Sequence, residues 1–248
     1  MTTALPPTRR HDLVGVHNLR DVGGYRAGDA VTRWGRLLRA DALHALGDDG
    51  RRALGALDVR LVLDLRDDEE VVSAPDALGD VGCRYVHHSV YGKAGALALP
   101  ADGGFDLAAL YRTILDEHGT RLTDAVRMVA DADGPVVVHC TAGKDRTGLV
   151  VALALSAVGV SDRDVAADYA LSEIMLAGEW ADAMTAAFRT KYPDSPIDLT
   201  EIVASSPAPV MLGALESIRL RFGDAAGYLR AHGMTEPELA GLRAALTH

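Results

Sequence analysis

Two hydrophobic patterns alternate along the chain. Short runs rich in branched apolar residues, bounded by turn formers, predict buried strands at 37–38, 60–65, 83–90 and 135–139. Segments with apolar positions three or four apart predict amphipathic helices at 48–57, 67–72, 106–117, 120–131, 162–176, 177–190, 209–222, 224–232 and 236–246. Leu107, Leu110, Ile114, Val126 and Val129 are the expected core positions of the helices at 106–117 and 120–131. One segment is different: from Leu149 to Val158 it is apolar on every face and closes at Gly159. A helix of that kind belongs inside a core, and it is too short to cross a bilayer. Ser161 with Asp164, and Thr235 with Glu238, have the spacing of helix caps. The order of elements predicts an α/β fold: a small, mostly parallel sheet flanked by helices, with a helical C-terminal half.

Residues 1–12, 92–104 and the proline-punctuated span 193–209 carry no such pattern. Asn18 to Tyr25 reads as a Gly-rich turn, with Arg20 and Asp21 as a structural ion pair. With 248 residues and 48% hydrophobic content, the chain is expected to form a single domain, 1–248. A net charge of −10 argues against nucleic acid or an anionic membrane as a bulk partner. Two cysteines provide no disulfide framework, and the first ten residues have no apolar secretory core, so a cytoplasmic setting is expected. Oligomeric state is not legible.

The chemistry concentrates in 135–148, Pro-Val-Val-Val-His-Cys-Thr-Ala-Gly-Lys-Asp-Arg-Thr-Gly. Between strand and helix, Cys140 and Arg146 stand six apart with turn-tolerant residues between them. Such a loop can wrap backbone N–H groups around a tetrahedral anion at a helix N-terminus. Thr141, Ala142, Gly143, Lys144 and Thr147 are therefore candidate substrate-binding residues. The helix N-terminus, loop amides and Arg146 favour thiolate over thiol, which makes Cys140 the candidate nucleophile. Arg146 offers a planar fork suited to two phosphoryl oxygens. Thr147 can turn its hydroxyl toward the sulfur, and His139 is expected beneath the cysteine, orienting it by hydrogen bonding. A Walker A loop is excluded, because Val138 and Asp145 stand where it requires Gly and Ser or Thr. Cys83 and Cys140 stand alone, without zinc-ligand spacing.

The stretch resembles the His-Cys-x5-Arg-Thr/Ser signature of cysteine-dependent phosphatases. Its fuller form is similar to the atypical bacterial protein-tyrosine phosphatases related to mycobacterial protein-tyrosine phosphatase B. The segments 17–25, 35–43, 63–70 and 227–230 also resemble that family. The resemblance implies metal-independent hydrolysis of phosphate monoesters through a cysteinyl-phosphate, with no cofactor. It also implies phosphorylated protein or phosphoinositide substrates, with Lys144 and Asp145 accompanying broad specificity. A helical lid over 161–205 is implied too, although Met175, Leu176, Trp180, Met184 and Phe188 read first as core packing.

In this family an acid commonly follows the strand at 83–90, and relatives carry Asp where Gly92 aligns. Here no acid occurs between Asp80 and Asp102. Asp145, inside the loop, is the first candidate for general acid, followed by Asp102 and Asp106, with Asp64 last. Asp64 and Arg66, at the end of a strand, are expected near Cys140, and Asp64 is equally expected to cap the following helix. Two other readings stay open: a phospho-binding module without turnover, and a rhodanese-type sulfurtransferase. Cys83 is the one intramolecular disulfide partner available to Cys140, although an inert buried thiol is favoured.

Overall fold

The computed structural model describes residues 9–92, 106–191, 203 and 205–248. Among the described residues, seven strands form two sheets: β1 (Arg20–Asp21), β2 (Arg26–Ala27), β3 (Ala30–Val31), β4 (Leu37–Ala40), β5 (Leu61–Asp64), β6 (Arg84–His87) and β7 (Val136–His139). The main sheet runs β1-β4-β7-β5-β6, and β2 and β3 make a separate hairpin. Strands β4, β7, β5 and β6 are mutually parallel, while β1 lies antiparallel on the edge beside β4. The α/β architecture with a mostly parallel sheet is thus the one the element order predicts.

Period-two alternation divides the core. Leu37, Leu61, Leu63, Val136 and Val138 pack into the larger cluster on one face. Leu38, Val62 and Val137 pack with Leu13, Leu19, Leu43 and Leu54 on the other. Both faces of the central strands are covered, which is why they read as continuous apolar runs.

Ten helices are described: α1 (Asp48–Ala56), α2 (Asp68–Ser73), α3 (Leu107–Glu117), α4 (Gly119–Asp131), α5 (Asp145–Ala157), α6 (Asp162–Leu176), α7 (Glu179–Lys191), α8 (Ala208–Phe222), α9 (Ala225–Ala231) and α10 (Glu236–Leu246). Every residue of α5 from Arg146 to Leu155 is buried, and over Leu149–Leu155 that is what the all-round apolar pattern requires. The caps form as spaced: Ser161 accepts from the Asp164 amide, and Thr235 and Glu238 make a reciprocal capping box. The ridge of α6 packs along α8 and against α5.

Three expectations need correction. The segment at Asn18 to Tyr25 is a turn only in part, because Arg20 and Asp21 form edge strand β1. They do not pair with each other: Asp21 accepts the Gly23 and Gly35 amides at 2.7 and 2.5 Å, and Arg20 reaches Asp168. In an extended strand, neighbouring side chains point to opposite faces. Helix α5 begins at Asp145 rather than at 149, so its first turn contains polar residues that an apolar periodicity cannot report. The strand at 83–90 is regular only over Arg84–His87, an exposed sheet edge.

Candidate active site

The parallel register sets the C-terminal ends of three strands level: Ala40, His139 and Asp64 are neighbours across β4, β7 and β5. In open α/β sheets the crevice beyond these ends is where ligands bind. Cys140 follows directly from β7 and is 2% exposed. The loop Cys140–Lys144 then turns into α5. Gly143 makes that turn possible. Its φ is +65°, and a Cβ there would sit 2.1 Å from the Ala40 carbonyl oxygen.

The loop carbonyls are all held from outside. His139 Nδ1 lies 3.2 Å from the Cys140 oxygen. The Ala42 amide donates to the Thr141 oxygen at 3.1 Å. Asn18 Nδ2 donates to the Ala142 oxygen at 2.8 Å, and Arg39 Nη2 to the Gly143 oxygen at 2.7 Å. The Lys144 oxygen accepts from the Gly148 amide at 2.8 Å and from Arg39 at 3.4 Å. No peptide bond is cis, and in a trans peptide the C=O and the following N–H point in opposite directions. Pulling these oxygens outward therefore turns the amides of Thr141 through Asp145 toward the inside of the loop.

Asn18 and Arg39 are themselves held by a buried ionic cluster. Asp168 on α6 receives Arg39 Nη1 at 2.8 Å and Arg20 Nε at 3.3 Å. Tyr25 donates to its Oδ1 at 3.1 Å. Ser172, one turn further along α6, accepts from Arg20 and Asn18. Burial drives Arg20 toward its neutral form, as does the neighbouring Arg39. Asp168 counters both, and the result is a guanidinium held down to about 10, still charged at neutral pH. The segments 17–25 and 35–43 thus act on the loop through Asn18, Arg20 and Arg39, a role that sequence spacing does not disclose.

Arg146 lies in the first turn of α5, its guanidinium 5.3 Å from the Tyr91 ring centre. Glu70 on α2 meets it fork to fork and also accepts the Thr141 hydroxyl. Glu70 is placed there by a capping box, in which Asp67 accepts the Glu70 amide and Glu70 accepts the Asp67 amide. So Asp67, not Asp64, caps α2. Sequence reasoning assigned Glu70 no role. The available signal was the Asp67-to-Glu70 spacing, which fixes a helix start but not what the glutamate faces.

Asp145 Oδ1 accepts from Tyr111 at 2.8 Å, Tyr111 lies 2.8 Å from the Tyr169 hydroxyl, and Lys144 Nζ is 3.7 Å from Asp145 Oδ2. The Asp145 side chain remains 24% exposed. Asp64 is wholly buried under the Arg66 fork and the Tyr85 hydroxyl, with no path to a substrate. Asp106 is spent as the exposed N-cap of α3. Asp102 lies outside the described residues. The Thr147 hydroxyl is buried with no hydrogen-bond partner among the described residues, so the expected bond to sulfur is not formed. Gly92 is a positive-φ turn after Tyr91, and no carboxylate stands at that point.

Asp64, Asp76 and His139 bring three potential metal-ligand atoms together. The Arg66 guanidinium already spans both carboxylates, at 2.7 Å from Asp64 and 2.9 Å from Asp76. A cation occupies the place that a metal would need, so the group is a charge network.

The chain is similar to known proteins. Residues 11–248 match the model of the tyrosine phosphatase family. A tyrosine-protein phosphatase of Nostoc commune is 31% identical over 218 residues, covering 84% of this chain and 73% of that protein. The triple specificity protein phosphatase PtpB of Mycobacterium tuberculosis is 30% identical over 278 residues, covering 95% and 98%. Among solved structures, TpbA of P. aeruginosa in complex with phosphotyrosine aligns at 19% identity and a TM-score of 0.35, over 71% of this chain and 91% of that one. A family match across nearly the whole chain decides against the sulfurtransferase reading: this chain belongs to the tyrosine phosphatase family.

Proposed function

We propose that the chain hydrolyses phosphate monoesters through a cysteinyl-phosphate on Cys140. The observation that carries this is the outward tethering of the five loop carbonyls, which turns the amides of Thr141 through Asp145 toward the inside of the loop that begins at Cys140. Preorganised donors of this kind stabilise the equatorial oxygens of a phosphoryl group without rearranging during reaction. Arg146 adds a bidentate contact. The Cys140 sulfur attacks phosphorus in line, the P–O bond to the leaving group breaks, and a proton passes to the departing oxygen. Water then attacks the same phosphorus and releases phosphate and the thiolate.

Asp145 is the proton donor in this reading, because it alone of the described candidate acids is both at the loop and open to it. A general acid must exist in both protonation states during turnover. The Tyr111–Tyr169 pair accommodates both. When Asp145 is ionised, Tyr169 donates to Tyr111 and Tyr111 to Asp145. When Asp145 is protonated, it donates to Tyr111, whose own proton turns to Tyr169.

Phosphotyrosine is the first substrate class, from the family. The relative named a triple specificity phosphatase, together with Lys144 and Asp145 in the loop, supports a wider range of phospho-residues and phosphoinositides. Of the described helices none is long and apolar enough to cross a membrane. Within 161–205, of which 192–202 and 204 lie outside the described residues, the ionic cluster at Asp168 and Ser172 ties α6 to the loop, so among the described residues a lid would be confined to α7, after Gly178, whose φ is +83°.

The deciding experiment is acid quench of the enzyme during turnover of para-nitrophenyl phosphate, with peptide mapping by mass spectrometry. A phosphate adduct on Cys140 in wild type, and loss of turnover in Cys140→Ser, are expected. Retention of about a tenth of the wild-type rate in that variant would refute the nucleophile. Binding of phosphate without any turnover would establish the non-catalytic binding module instead.

A further inference from the structure

Behind the nucleophile lies a sealed group of four ionisable side chains that the mechanism above does not use: Asp64, Arg66, Asp76 and His139. All sit at 1% exposure or less at their side chains. His139 ends β7, Asp64 ends β5 beside it, Arg66 follows two residues on, and Asp76 lies between α2 and β6. Arg66 Nη2 is 2.7 Å from Asp64 and 2.9 Å from Asp76. The Asp76 Oδ1 also accepts the Leu43 amide at 3.1 Å, and Tyr85 donates to Asp64 at 2.9 Å.

The His139 ring is held from two sides. Nε2 lies 2.8 Å from Asp76 Oδ2 as a charge contact without hydrogen-bond alignment, and Nδ1 is 3.2 Å from the carbonyl oxygen of Cys140 itself. The charge of the group decides the state of the ring. With a neutral ring the group would hold two carboxylates against one guanidinium, leaving a net negative charge sealed directly behind a sulfur that must become negative. With an imidazolium the four groups balance.

We infer that Asp76 is a positioning residue that keeps His139 as an imidazolium, and that this buried cation both fixes the Cys140 carbonyl and favours the Cys140 thiolate. The inference rests on Cys140 being the nucleophile. It names a residue, Asp76, that touches neither sulfur nor substrate and acts through the ring. Burial alone would push His139 toward its neutral form, but the close contact with Asp76 and the charges of Asp76 and Asp64 outweigh it and Arg66, so the ring titrates above its ordinary value. The charge is therefore complete below about pH 6.5 and is lost only as pH rises through the elevated folded-state value.

Asp76→Asn tests this with little change of shape. The amide oxygen can still accept from Leu43 and Arg66, while its NH2 faces His139 Nε2. The ring can then become a neutral tautomer that donates from Nδ1 to Cys140 and accepts at Nε2. The Cys140 tether survives and the charge does not. Two measurements are made. In wild-type protein labelled with 15N-histidine, nitrogen-detected NMR near pH 7 should find both His139 nitrogens protonated; in the variant, one. The pH midpoint for alkylation of Cys140 by iodoacetamide should move up by about one unit in the variant, with the acid limb of kcat/KM following it. A neutral His139 in the wild-type protein overturns the inference whether or not the variant folds. A folded variant with an unmoved alkylation midpoint overturns it too, since a merely structural Asp76 would change stability and not that midpoint. If alkylation of Cys140 leaves turnover intact, the nucleophile assignment fails instead, and the ring measurement still stands alone.

Discussion

Glu70 and Arg146 meet as two forks, Nη1 at 2.5 Å from Oε2 and Nη2 at 2.8 Å from Oε1. The carboxylate takes the terminal edge of the guanidinium and so sets the direction of the edge containing Nε. Burial opposes ionisation of Glu70, but hydrogen bonding to Arg146 and its charge prevail and hold the carboxyl down to about 2. Glu70→Gln keeps the shape and loses half of the interaction. We expect kcat/KM to fall about 10- to 100-fold, because a small misorientation of a substrate clamp has effects of that size. A depressed carboxyl stabilises the fold fully above its unfolded value of 4.5 and loses that contribution as pH falls toward 2. Thermal denaturation across that window should therefore be less pH-dependent in Glu70→Gln than in wild type.

Arg146→Lys retains the charge but not the fork. A fall in kcat of about 100- to 1,000-fold is expected with para-nitrophenyl phosphate. EDTA should leave the wild-type rate unchanged, since the proposed reaction takes its positive contacts from Arg146 and the loop amides. A rate that falls on chelation and returns with a divalent ion would contradict the proposed mechanism.

Asp145 and its tyrosine relay predict a dependence on leaving group. Asp145→Asn should slow alkyl and phenyl phosphates far more than esters whose leaving groups are already acidic. Tyr111→Phe removes the 2.8 Å donor to Asp145 and should show the same selectivity with a smaller factor. Equal slowing of every substrate would mean that Asp145 only braces the loop, and would move the search to Asp102.

Cys83 and Cys140 should not form a disulfide. Cys83 precedes Arg84, which is level with Leu61, and Leu61 is level with Val136. Cys140 therefore lies five residues further along the strand direction and two strands away. That is roughly 16 Å along the sheet, beyond the reach of any disulfide. Burial also raises the Cys83 thiol above its ordinary value. Non-reducing peptide maps after peroxide treatment should contain no peptide linking the two.

The strands, the buried helix and the caps were legible because each is encoded locally. Val136 to Val138 and Leu149 to Val158 are apolar where both faces are covered, and Thr235 signals its own helix start. The nucleophile and Arg146 were legible because one loop contains both. Glu70, Asp76, Asp168 and Asn18 were not, because their roles arise from packing between elements far apart in sequence. The Asp67-to-Glu70 spacing marks Glu70 as a capping partner, but nothing local says that it faces Arg146. Asp64 was misplaced as a candidate acid for the same reason: its strand-end position is correct, but Arg66 and Tyr85 close over it.

Asn18 and Ser172 are bonded across 154 positions of sequence, and both belong to the cluster that holds the loop oxygens outward. Contacts of such separation form late, after the entropy of closing a long loop has been overcome. During refolding, β7 and α5 can bring Cys140 and Arg146 together before α6 docks, but the amides will not yet be aimed. Catalytic competence should thus lag behind recovery of secondary structure in a refolding time course, and a chain halted before α6 has joined carries a thiol that is not yet an enzyme's.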